Sequence, residues 1–327
     1  MKTDITWLID QLPAIEKIKL RSEPDYYGVS RIISNQLGYK KTPRSFAQWL
    51  HGWIFTEPIT DPRELTFWGK PNDRILVTTE IQVETLRQFG YHHVYATGLP
   101  FIYANTNAME RKSNSLLVMP SHSTAYNEQF VNQEKYVKSI LDLKPDYDHI
   151  TFCLHGCCVE KKYWIPTLEK YEIPWIIGAS TNDCNALTRI NRILQSFESM
   201  TSNVMGSHIA YASASGCRVS IAGEYASPKA EEYRNDPWYQ KYPELLKKHL
   251  SLFQEKEIKQ RFSHFFQEPK DSTTHVEWGN QMIGKKYQRT ASELSEILGW
   301  SNYHQIQGYL SLVKNNFFSS LSRRFTG

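Results

Sequence analysis

Residues 199–223 read SMTSNVMGSHIAYASASGCRVSIAG, and this stretch decides the fold. A short run at 199–202 (SMTS) is a brief strand candidate that ends in a polar turn. Residues 206–215 are rich in small side chains, read as a helix and are closed by Gly216. A second run, 217–222 (CRVSIA), ends at Gly223. The same alternation continues toward the N-terminus. Residues 174–177 (PWII) end at Gly178, 150–154 (ITFCL) at His155-Gly156 and 115–119 (SLLVM) at Pro120. Helix-like segments at 127–143, 161–171 and 185–195 separate them. Short apolar runs alternating with helices predict a parallel sheet with crossover helices, so residues 113–225 read as a Rossmann-like unit.

The N-terminal third carries a looser version of this rhythm. Residues 27–35 and 45–50 bracket a Gly/Pro-containing stretch, 75–78 (ILVT) reads as a strand, 81–89 as a helix and 94–96 as a strand. That strand runs into Thr97-Gly98-Leu99-Pro100. The polar, unpatterned residues 104–114 suit an interdomain linker, and residues 229–327 are helical in pattern. The expected division is an N-terminal Rossmann-like domain at 1–110, a second at 111–228 and a helical C-terminal segment at 229–327.

The chain's 327 residues fit two domains or one large one. Forty per cent are hydrophobic and 22% charged, which allows a substantial core and excludes global disorder. A net charge of +4 does not call for nucleic acid as a partner. Nine Trp and nineteen Tyr provide planar surfaces for sugars, bases or an interface, or simply fill the core. There is no apolar run long enough to span a membrane and no signal-peptide pattern at the start, which points to the cytoplasm. The five cysteines form no C-x-x-C pair. Cys153, His155, Cys157 and Cys158 match no common zinc spacing, so structural thiols are the preferred reading.

In a doubly wound sheet the ligand lies at the carboxyl ends of the strands. That directs attention to Ser121, His122 and Ser123, to His155, to the turn Ser202-Asn203-Val204-Met205-Gly206-Ser207-His208, and to Glu224. In the turn, Ser and Asn suit a helix start and Gly206 lets a ligand approach the backbone, a combination that favours phosphate. Each element also has a plain structural reading, as a capped helix or a loop histidine bonded to backbone. In AQWLHGW (47–53), His51 ends an apolar segment and has a side chain suited to general-base work near neutral pH; packing among aromatics is its other reading. Asp146-Tyr147-Asp148 precedes a strand rather than following one, so it reads as a solvated turn and not as a metal-diphosphate motif.

Trp49-Leu50-His51-Gly52 resembles the W-H-G element of CDP-glycerol glycerophosphotransferases and related capsule enzymes, with Leu50 inserted. Residues 201–212, continuing through 216–220, resemble the donor-nucleotide region of bacterial surface-polysaccharide transferases. Residues 75–78 with 98–103 resemble the end of their first domain. The resemblance covers roughly residues 45–225 and implies an α/β fold of the GT-B type, with two Rossmann-like domains facing a cleft. It implies a glycosyltransferase without metal or other cofactor. His51 would be the catalytic base, and Ser121, His122, Ser123, His155, Ser202, Asn203, Gly206, Ser207, His208 and Glu224 would hold the nucleotide-sugar donor. The acceptor would be a glycan or a lipid-linked compound. A nucleotide-sugar epimerase, a pyruvyl transferase or a non-catalytic nucleotide-sugar-binding protein are the alternatives on the same fold. Arg323 and Arg324 beside Phe325 suit either an anionic membrane surface, at the inner face of the cytoplasmic membrane, or a helix packed on the body of the protein.

Overall fold

The computed structural model describes residues 5–104, 109–124, 126–127 and 130–325, with side chains as far as residue 313. The fold is α/β with two parallel sheets. The first sheet has three strands in chain order, β1 (Ala47–Trp49), β2 (Arg74–Val77) and β3 (His93–Ala96). The helix Glu80–Gln88 crosses from β2 to β3. Thr79 caps it by accepting from the Gln82 amide, and it buries Val83 and Leu86.

The second sheet contains β4 (Lys112–Val118), β5 (His149–Leu154), β6 (Trp175–Ile177), β7 (Phe197–Ser202), β8 (Arg218–Ile221) and β9 (Thr273–Thr274). Their spatial order is β6-β5-β4-β7-β8-β9. The first five are mutually parallel, and β9 pairs antiparallel with β8. The chain winds outward from β4 to β6, returns through the helix Ala186–Ser196 and continues on the other side of β4. The winding reverses between β4 and β7, which opens a crevice at their carboxyl ends.

Side-chain alternation along the strands separates two cores. Leu116, Val118, Ile150, Phe152 and Leu154 pack on one face with Tyr136, Trp164 and Leu168. Leu117, Cys153, Met200 and Val219 point to the other face and join Trp49, Ile75 and Leu76 of the first sheet in one continuous core. The two sheets are therefore packed against a shared apolar layer.

Both chain ends cross between the units. Ile18 and Tyr27 donate backbone bonds to Asn182 and Thr181, and Cys184 donates to Glu16. From the other end, Leu99 donates to the Ile283 carbonyl and Phe46 to the Leu298 carbonyl, while Trp300 Nε1 reaches Ser45 Oγ at 3.0 Å.

Several boundaries differ from the sequence reading. The linker expected at 104–114 is already strand from Lys112. Its Arg111 is anchored by donation to the carbonyls of Leu194, Phe197 and Ser215. Of the described residues in the helix expected at 127–143, Gln133–Leu141 form the helix, and Asn132 caps it by accepting from the Lys135 amide. The helix expected at 161–171 is Ile165–Lys170, preceded by a short helix Gly156–Glu160. Trp164, with φ +74°, turns the chain between them. The strand expected at 199–202 begins at Phe197. The C-terminal segment is not purely helical, because Thr273 and Thr274 add the antiparallel edge strand. No helix among the described residues is long and apolar enough to cross a membrane. The side chains of Arg323, Arg324 and Phe325 lie outside the described residues.

Candidate active site

A cavity of about 420 Å³ lies where β4, β5 and β7 end and where the loop after β1 faces them. Met119, Leu154, Leu187, Ile190 and Phe253 form apolar walls, and five histidines share its polar lining with Tyr27, Thr124, Asn127, Ser207, Tyr211 and Tyr233. His51 comes from the first sheet and His249 from the C-terminal segment. His122, His155 and His208 come from the ends of β4, β5 and β7. No Asp, Glu, Lys or Arg side chain lines the cavity among the described residues.

The turn after β7 is held from within. Ser202 Oγ accepts from the Val204 amide at 3.2 Å and lies 2.9 Å from His208 Nε2. Asn203 Oδ1 accepts from the Ser121 amide at 2.8 Å, tying the loop after β4 to the turn after β7. Gly206 precedes the helix Ser207–Ala214, and no side chain caps that helix. Gly206, Ser207 and His208 all line the cavity, so the first turn of the helix faces it. A Cβ on Gly206 would lie 3.1 Å from the His208 ring.

Two hydrogen bonds clasp this turn to the opposite loop. The Trp53 amide donates to Ser207 Oγ at 2.9 Å, and the Tyr211 hydroxyl donates to the His51 carbonyl at 3.1 Å. Tyr211 also stacks on Phe101, with ring centroids 4.2 Å apart. The His51 imidazole packs edge-on against Tyr26 at 5.3 Å.

The imidazoles are uncharged at neutral pH. Burial lowers His51 to about 4, partly opposed by a hydrogen bond to the Trp49 backbone. Burial and the neighbouring His122 lower both His155 and His208 to about 3. Burial lowers His249 to about 4, and desolvation within the cleft also depresses His122, whose side chain is open to solvent. His122 and His155 stack with centroids 4.6 Å apart, close enough that a charge on one opposes a charge on the other.

The residues predicted from sequence divide into three groups. His51, His122, His155, Gly206, Ser207 and His208 line the cavity. Ser121, Ser123, Ser202 and Asn203 are buried behind its wall, and Ser121, Ser202 and Asn203 bond the loops that form it. Glu224 lies elsewhere: it is exposed and pairs with Lys135 at 2.7 Å. Asp146, Tyr147 and Asp148 form the turn before β5, at the amino end of the sheet. No three His, Cys, Asp or Glu side chains among the described residues are arranged to hold a metal ion.

Sequence reasoning missed Tyr27, Tyr211, Tyr233 and His249, which also line the cavity. They come from the N-terminal strap, from inside a helix and from the C-terminal segment, so no local motif announces them. It also missed Glu23. Its buried carboxyl accepts from the Trp49 amide at 3.0 Å and is raised to about 7, mainly by burial. Trp164 was missed as well. It donates from Nε1 to the Ser121 carbonyl at 3.0 Å and so supports the loop that carries His122.

No family model and no curated protein matches the chain. Solved structures similar to it include the pneumococcal O-GlcNAc transferase GtfA in complex with UDP and GlcNAc, at 13% identity and a TM-score of 0.33. That match covers 77% of this chain and 51% of GtfA. A TarM variant from S. aureus, in complex with fondaparinux, alpha-GlcNAc-glycerol and UDP, matches at 14% identity and a TM-score of 0.26, covering 73% of this chain and 43% of TarM. The GtfA/B complex matches at 13% identity and a TM-score of 0.32, covering 68% of this chain and 44% of the matched chain. The chain spans about half or less of the length of each.

Proposed function

We propose that this chain is a metal-independent glycosyltransferase that moves a sugar from a nucleotide-sugar donor to a hydroxyl acceptor. One observation carries the reading. A single cavity lies at the winding reversal of a parallel sheet, and a neutral imidazole faces it from the opposing unit. A donor phosphate would meet the first-turn amides of the helix Ser207–Ala214, with His155 and His122 beside it. His51, neutral at pH 7, would accept the proton of the attacking hydroxyl. As the bond from the anomeric carbon to the acceptor oxygen forms, the bond to the phosphate oxygen breaks. The electron pair leaves with the phosphate, and the amides and imidazoles stabilise it. The apolar walls keep water away from the donor.

The acceptor we assign is a glycan or a lipid-linked compound of bacterial surface-polysaccharide synthesis, used in the cytoplasm at the inner face of the membrane. Sequence resemblance alone supports this part.

Replacing His51 by Ala tests the assignment. Transfer should fall by about 10²–10⁴-fold while nucleotide binding is unchanged. Equal loss of both would remove His51 from the base role. Consumption of donor without acceptor, giving an isomeric nucleotide sugar, would favour an epimerase and count against transfer.

A further inference from the structure

The cavity has an unusual charge inventory for a phosphate site. Its described lining contains no Lys or Arg, so only imidazoles can become cationic there. Cations lie behind the lining: Lys161 donates to the Asn127 carbonyl at 3.3 Å, and Arg189 donates to the Ile177 carbonyl at 2.7 Å and acts on the Cys153 thiol.

Hydrogen bonds fix where the imidazole protons sit. His155 Nδ1 accepts from the Cys157 amide at 3.2 Å, so the neutral ring carries its proton on Nε2. That Nε2–H is buried and has no protein partner. His155 thus offers a donor without gaining charge. His122 Nδ1 lies 3.3 Å from the Ser123 carbonyl, which can only accept, so the proton is on Nδ1 and Nε2 presents a lone pair. A lone pair repels a phosphate oxygen, and only protonation converts it into a donor. His208 is committed on both sides, to Ser202 Oγ and to the Val204 backbone.

We propose that a phosphate-bearing ligand enters this cavity together with one proton, taken from solvent onto Nε2 of His122. The inference rests on the reading of the site given above. The other titratable groups around His122 are His155 and Cys153 from β5 and its end, and His208 and Tyr211 from the helix after β7. Tyr27 and His51 face it from the first unit, and Tyr233 and His249 from the C-terminal segment. None of these is a carboxylate that would protonate His122 before the ligand arrives. Desolvation in the cleft holds the free ring neutral, and the ligand's negative charge reverses that balance.

The test is calorimetric titration with UDP-GlcNAc, UDP-glucose, GDP-mannose, TDP-glucose and CDP-glycerol, whose phosphodiesters do not titrate near neutrality. Measured at pH 7 in two buffers of different ionisation enthalpy, binding should take up about one proton. Affinity should rise as pH falls from 8 to 6, approaching about tenfold per unit, the limit for one proton. His122→Gln should abolish the uptake and flatten the pH dependence, and His264→Gln, outside the cavity, should keep both. A ligand that binds with no proton uptake, or uptake that survives in His122→Gln, overturns this inference and leaves the functional reading standing. If none of the five binds, both fall.

Discussion

Gly28 has φ +84°, and a Cβ there would sit 1.9 Å from the Cys184 carbonyl oxygen. Only glycine permits the N-terminal strap to pass this close to the second unit. Gly28→Ala should cost about 2–5 kcal/mol by overpacking and left-handed backbone together. Urea unfolding measures this, and a cost within ~0.5 kcal/mol would place it among ordinary surface changes. The sequence offers no sign of this contact, because Gly28 and Cys184 meet only through the tertiary fold. His51 was legible, since it ends an apolar run before Gly52. Glu224 was misplaced because its position after β8 was read as a crevice position. The crevice opens between β4 and β7, and Glu224 lies after the next strand out.

The helix Ser207–Ala214 is the element on which the site depends. It carries the cavity-facing turn, the clasp to residues 51–53, and the face against which the helix Val276–Met282 packs. At that contact a Cβ on Gly279 would lie 2.3 Å from the Ala214 amide nitrogen. Gly279→Ala should push the helices apart, cost about 1–3 kcal/mol and weaken nucleotide binding. Paired unfolding and binding measurements would detect both, and loss of stability with unchanged affinity would uncouple this contact from the site. β5, β6 and the second half of β4 were readable because each carries a short, continuous apolar run, whereas β7, FESMTS, is largely polar in sequence and only its last residues were read as strand. β9 was not readable: its two exposed threonines have no apolar pattern and exist as strand only by pairing with β8.

Over the whole molecule, histidines held neutral by burial make stability depend on pH. His51, His155, His208 and His249 titrate at about 3–4 when folded, against an ordinary value of 6.5. Between those limits the unfolded chain binds more protons, so stability rises with pH. Glu23 has the opposite sign. Raised from 4.5 to about 7, it binds its proton more tightly when folded, and its contribution is lost as pH rises through 7. The four histidines outnumber it, so unfolding free energy at pH 7.5 should exceed that at pH 5 by more than ~1.4 kcal/mol, the worth of one pK unit at one site. Urea titrations at the two pH values decide this, and a flat profile would show that the imidazoles are hydrated rather than buried.

The clasp formed by Trp53 with Ser207 and by His51 with Tyr211 joins the two walls of the cavity directly. It therefore works as a gauge. The gap from the His51 imidazole to the turn after β7 is set by these two bonds, at 2.9 and 3.1 Å. A ligand that touches both walls must fit that fixed span, so its length is selected by geometry before any single polar group is recognised.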